Sequence, residues 1–137
     1  MPELSRRVQT FTDSVIRRMT RISDEVDAIN LSQGFPDFPP PKAITDRLRE
    51  VADEGPHQYS VTFGAENFRE ALARKQGRAY GREINPDTEI LVTCGGTEAM
   101  MSAMMTVCNP GDKVIVFSPF YENYGADAIL SGADPIF

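Results

Sequence analysis

The run from Glu89 to Phe120 limits the choice of fold more than any other part of the chain. Glu89-Ile90-Leu91-Val92-Thr93-Cys94 has the length and apolar character of a strand, and it meets a glycine pair, Gly95-Gly96. From Thr97 to Cys108 the residues Ala99, Met100, Ala103, Met104 and Val107 recur at the spacing of one helix face. Asn109-Pro110-Gly111-Asp112 stops that helix, and Val114 to Phe117 reads as a second buried strand. Strand, helix, strand is a βαβ unit, which predicts parallel strands and an α/β fold.

The chemistry sits at the first turn of that unit. Gly95 and Gly96 let the backbone turn sharply and approach a ligand closely. Thr97 follows at the helix start, where free amides and the positive dipole end favour an anion, and its hydroxyl adds a donor. Open α/β sheets bind ligands at the carboxyl ends of their strands. Gly95, Gly96 and Thr97 therefore read as a phosphate cup, although many βα turns carry glycine for packing alone. Neither G-x-G-x-x-G nor G-x-x-x-x-G-K-[ST] occurs.

Composition excludes several classes. The chain has 137 residues, with 41% hydrophobic and 25% charged, as in a globular domain or part of one. A net charge of −6 argues against nucleic acid as the main partner. No apolar run reaches membrane-spanning length, and the N-terminus lacks the apolar core of a secretory signal. Cys94 and Cys108 lie at opposite ends of the predicted helix, roughly 20 Å apart at its rise per residue, too far for a disulfide. The expected compartment is the cytoplasm. His57, the only histidine, has no ligand at metal spacing, so no metal site is expected.

Along the chain, Val8, Phe11, Val15, Met19 and Ile22 predict an amphipathic helix or arm between about Ser5 and Ser23. Ser32-Gln33-Gly34-Phe35-Pro36-Asp37-Phe38-Pro39-Pro40-Pro41 is a stiff extended loop. At its head Gly34 exposes a backbone amide to a ligand; a rigid interdomain linker is the plainer use of the same residues. Ile44, Leu48, Val51 and Ala52 mark a helix ended by Gly55-Pro56. Phe68 to Ala79 marks another, carrying a Glu70–Arg74 pair and stopped by Gly81. Tyr59, in the loop His57–Gly64, either caps a core or reaches a ligand. The methionines of the Thr97–Cys108 helix read as packing between two buried strands. Phe120-Tyr121-Glu122-Asn123-Tyr124 follows the second strand, a place from which a planar aromatic would cover a flat ring. Ala126–Leu130 continues as a helix, and the chain closes on the start of a further strand, like a chain cut partway through a sheet.

In order and spacing, Asn30–Phe38, Gln58-Tyr59 through Gly64, Val92–Ala99 and Asp112–Tyr124 resemble the N-terminal part of the fold-type I pyridoxal-phosphate aminotransferases, class I/II. The aspartate, aromatic and kynurenine-type branch is the nearest in pattern, and the resemblance runs from the arm near Ser5 to Phe137. It implies an α/β fold: the first part of a large domain with a mostly parallel sheet and helices on both faces, residues 42–137. An N-terminal arm and small-domain segment, residues 1–41, would precede it. The implied cofactor is pyridoxal 5'-phosphate. Gly95, Gly96 and Thr97 would hold its phosphate, and Tyr121 would lie on its ring. Tyr59 would reach the phosphate of the other subunit in a homodimer with shared sites. Gly34 would meet the carboxylate of the amino acid or 2-oxo acid substrate.

Departures from the family pattern are Tyr121, where Trp or Phe is usual, and Val61, where Pro is usual. The family's Schiff-base lysine, its pyridine-nitrogen aspartate and its C-terminal arginine match nothing here; Lys42, Lys75 and Lys113 are the only lysines. No catalytic residue is therefore expected in this chain, and the Schiff-base lysine is expected beyond Phe137. Two other functions fit the same scaffold: a carbon–sulfur β-lyase and a non-catalytic ligand-sensing domain. No basic helix-turn-helix segment precedes Ser5, which disfavours the sensor.

Overall fold

The structure, a computed structural model, describes residues 3–55, 57–59 and 61–137. Its elements are a 3-10 turn at Arg6–Val8, helices α1 (Val15–Glu25), α2 (Lys42–Glu54), α3 (Glu66–Tyr80) and α4 (Gly96–Val107), strand β1 (Lys113–Ile115), helix α5 (Asn123–Ser131) and strand β2 (Asp134–Ile136). They form two compact units, Thr12–Tyr59 and Met1–Phe11 with Ser60–Phe137.

The predicted arm helix over Ser5–Ser23 is interrupted, and its two parts fall in different units. Only Arg6–Val8 winds before the break, and α1 begins after Ser14, whose hydroxyl accepts the Arg17 amide at 3.4 Å. Serine caps a helix better than it continues one, so the apolar periodicity runs across a boundary that Ser14 imposes. α2 ends at Gly55 as expected; Pro56, its predicted partner in stopping the helix, lies outside the described residues, as does Ser60 of the following loop. His57 is exposed and packs back on the end of α2. Its Nε2 lies 2.8 Å from the Ala52 carbonyl and 3.3 Å from the Gly55 amide, closing the exposed end of α2.

The unit of Met1–Phe11 with Ser60–Phe137 carries the sheet. β1 and β2 run parallel, pairing Lys113 with Asp134, Val114 with Pro135 and Ile115 with Ile136, and α5 is the crossover. Val116 N–H extends the ladder to the Ile136 carbonyl at 2.8 Å. The βαβ unit formed is thus β1–α5–β2. The predicted strand Glu89–Cys94 is not a strand here; its Val92 N–H donates to the distant Phe63 carbonyl at 3.1 Å. A strand is defined by its ladder, and this apolar segment has no ladder partner among the described residues. Glu89 belongs to the preceding turn, where its carboxylate accepts the Asn85 amide and pairs with Arg82, each at 2.8 Å.

Among the described residues the buried apolar side chains are Ala73 on α3, Val116 just after β1, Ala128 on α5 and Ala133 just before β2, and α5 packs on α4 and β2. α4 has no buried residue, and its Met100 and Met104 line a groove beside β1 instead of filling a layer between two strands. Ile115 and Phe117 are largely exposed while Val116 between them is buried, the alternation of a strand covered on one face. Gly81 and Gly132 end α3 and α5 in the left-handed conformation. Arg69, 8% exposed, holds the loops around the segment that leads to Gly95. It donates to the Gly64 carbonyl at 3.0 Å, the Pro86 carbonyl at 2.7 Å and the Asp87 carboxylate at 2.7 Å.

Candidate functional site

The turn before α4 is built from local bonds. Gly95 has φ 87° and ψ 174°, a conformation essentially reserved for glycine. Its amide donates to the Thr93 carbonyl at 2.8 Å, and the Thr93 hydroxyl donates to the Gly95 carbonyl at 2.9 Å. The Cys94 amide donates to the Glu98 carboxylate, which reaches back over the helix start. The Gly95 amide is therefore engaged, and its role is conformational. The helix proper starts at Gly96, so the amides of Gly96 and Thr97 precede the i→i−4 ladder and point out of the helix end. A Cβ on Gly96 would have nothing within 4 Å, so the helix start borders open space on that side.

That space is a cavity of about 410 Å³ lined by Gly96, Thr97, Met100, Tyr121, Asn123, Tyr124 and Asp127. The turn after β1 supplies its other wall. Tyr121 is about half exposed and meets Tyr124 edge to face, with ring centroids 6.0 Å apart. Phe120 stacks on Phe137 at 4.9 Å, and the Phe137 ring covers α5 closely at Gly125, where a Cβ would come within 3.1 Å of it. Asn123 Nδ2 donates to the Thr97 hydroxyl oxygen at 3.0 Å, tying the two turns together. Asp127 is 4% exposed and its Oδ2 has no hydrogen-bond partner; burial holds its carboxyl above the ordinary carboxylate range.

The cavity thus brings together Gly96, Thr97 and Tyr121 from the residues expected at a cofactor site, with Gly95 shaping the turn. The pyridoxal phosphate that the resemblance implies fits this arrangement. Two outward amides and a hydroxyl stand at a helix N-terminus for an anion, an aromatic ring lines the same space, and the volume falls in the range of ligand pockets, about 300–1,000 Å³.

Gly34 and Tyr59 belong to the Thr12–Tyr59 unit. There Gly34 has open space where a Cβ would stand, and Tyr59 is almost wholly exposed. The Gly34 loop is ordered by a residue the sequence reading did not single out. Asn30 Oδ1 accepts the Ser32 amide at 2.9 Å, the Ser32 hydroxyl at 2.7 Å and the Gln33 amide at 3.3 Å, while its Nδ2 donates to Thr20 on α1 at 3.1 Å. Asn123 and Asp127 were likewise not singled out. An i,i+4 polar pair at the start of a helix that follows a βα turn is the signal that points to them. Among the described residues no group of acidic, His or Cys side chains is placed to hold a metal ion, and no helix is long and apolar enough to cross a membrane.

Residues 26–137 match the family model for aminotransferase class I and II. The chain belongs to the class I and II aminotransferases. Among its relatives in this family, the methionine aminotransferase of Escherichia coli (strain K12) is 40% identical over 119 residues, which is 87% of this chain and 31% of that protein. Kynurenine–oxoglutarate transaminase 3 of Rattus norvegicus is 33% identical over 134 residues, 97% of this chain and 30% of that protein. A solved Escherichia coli structure with a methionine aminotransferase function superposes with a TM-score of 0.89 at 35% identity, covering 98% of this chain and 36% of that one. This aminotransferase chain therefore spans about a third of the length of the relatives it matches.

Proposed function

We propose that the intact protein is a pyridoxal-phosphate-dependent aminotransferase that moves an amino group from an amino acid to a 2-oxo acid. The observation that carries this reading is the helix N-terminus at Gly96-Thr97 opening onto the cavity that Tyr121 lines, in a chain of this family. The Gly96 and Thr97 amides and the Thr97 hydroxyl bind the phosphate, and Gly95 sets the turn that aims them. Tyr121 orients the ring and shields one face from water. The cofactor, when bound, supplies the electron sink for the carbanion formed at the amino acid's α-carbon. Gly34 donates its amide to the substrate carboxylate. Tyr59 serves the phosphate of the partner subunit in a homodimer. Residues 1–41 act as arm and small-domain segment and 42–137 as the start of the cofactor domain, in a cytoplasmic enzyme.

Lys42, Lys75 and Lys113 are not among the residues that line the cavity, and none of them is assigned the nucleophile's role in this reading. The test is the fate of nitrogen. The intact protein, given an amino acid labelled at its amino group and a 2-oxo acid acceptor, should deliver the label to the acceptor. Release of the label as ammonia with pyruvate would assign a β-lyase, and no turnover would leave a sensor. For Tyr59, a hybrid dimer of a Tyr59→Phe subunit with one disabled at its lysine decides the role. If Tyr59 acts across the interface, both changes fall on the lysine-less subunit's site and the other site stays fully active; one damaged site in each subunit would exclude that role.

A further inference from the structure

A hydroxyl serves an anion only if its single proton points at it. Thr97 Oγ1 has two lone pairs and one proton, and the rotor is free to turn either towards the cavity. Asn123 removes that freedom. Its Nδ2 lies 3.0 Å from Thr97 Oγ1 with the amide donating, which occupies a lone pair on the α5 side. The hydroxyl proton is then left for an acceptor elsewhere, and Thr97 lines the cavity beside Gly96. A donor placed on a hydroxyl oxygen also polarises its O–H, so the bond Thr97 gives is strengthened. Asn123 opens α5 only two residues after Tyr121, so the same contact fixes the ring platform against the cup.

We propose that Asn123 is a positioning residue that sets the Thr97 hydroxyl as a donor to a phosphate oxygen and locks Tyr121 in register with the cup. This rests on the phosphate reading of the Gly96-Thr97 turn. The two are separable because Thr97 and Asn123 can be changed independently.

Asn123→Asp is the sharpest probe. A carboxylate at the first position of α5 suits that helix end and sets a like charge one turn from Asp127, two effects of similar size and opposite sign, so thermal stability should change little. The same carboxylate is acceptor-only, takes the Thr97 proton for itself, and adds negative charge beside the phosphate. Cofactor affinity should therefore fall while stability does not, by more than the roughly tenfold expected when Asn123→Ala removes the link. In a Thr97→Val background, Asn123→Ala should cause little further loss, because no hydroxyl remains to orient.

The readouts are spectroscopic titration of the intact apoprotein with pyridoxal phosphate and phosphorus NMR titration with inorganic phosphate, each beside a melting curve. Losses that fall on binding, follow this order and fail to add support the role. Additive losses, or a loss of affinity that only tracks lost stability, overturn it. Thr97→Val with unchanged affinity for both probes would overturn the cup itself, a different failure.

Discussion

Gly95 and Gly96 are neighbours in one turn, and their substitution should have opposite consequences. Gly95 holds φ 87° with ψ 174°, a region in which a Cβ costs about 1–3 kcal/mol of backbone strain. Nothing lies within 4 Å of where that Cβ would stand, so the cost of Gly95→Ala is conformational, with no crowding to relieve or add. Gly96 is helical and equally open, so Gly96→Ala should be neutral or should stabilise α4 by up to about 1 kcal/mol through helix propensity. Its side chain matters only when the cup is filled. Gly96→Leu should leave the unfolding midpoint near wild type and weaken pyridoxal phosphate at least about tenfold, the loss of one charge-assisted bond. Urea unfolding of the intact protein, paired with cofactor titration, checks both halves. Equal destabilisation by Gly95→Ala and Gly96→Ala, or Gly96→Leu with wild-type affinity, would refute the division of labour.

The other expectations concern the scaffold and the chain as it stands. At Gly64, φ is 102° and a Cβ would overlap Val92, so Gly64→Ala should cost about 2–5 kcal/mol from strain and overpacking together, read as a lower unfolding midpoint; a wild-type midpoint would contradict the packing. Burial raises the Asp127 pKa above its unfolded value, so its contribution to stability is full below the ordinary carboxylate range and is lost as pH rises through the folded value. Asp127→Asn should accordingly be the more stable protein at neutral pH and lose that advantage on acidification; an advantage that grows on acidification would reverse the sign. The 137-residue polypeptide alone should yield no stoichiometric borohydride-fixed adduct of pyridoxal phosphate at a single lysine and no amino transfer, and finding both would show that Lys42, Lys75 or Lys113 does the chemistry.

Much of this was legible in the sequence because it is local. Helix ends are written by the residue that stops them, as with Gly55, Gly81 and Gly132, and the turn at Gly95-Gly96 is a matter of adjacent residues. What was missed depends on partners distant in sequence. Leu91 and Val92 look like a strand, but a strand exists only beside another, and here the pairing falls on β1 and β2. Val8 and Phe11 keep the periodicity of α1 across a cap at Ser14, so periodicity alone joined what hydrogen bonding separates. The bonds that Arg69 and Asn123 make carry no local signal, because their acceptors, Pro86 and Asp87 for one and Thr97 for the other, become neighbours only in the fold.

The central claim is that an anion sits on the start of α4 with a flat ring against Tyr121. A crystal structure of the intact protein with pyridoxal phosphate tests it most directly. The account predicts phosphate oxygens within hydrogen-bond reach of the Gly96 and Thr97 amides and the Thr97 hydroxyl, with the ring on Tyr121. A phosphate bound elsewhere, with the Gly96-Thr97 amides facing water or another part of the protein, would contradict it.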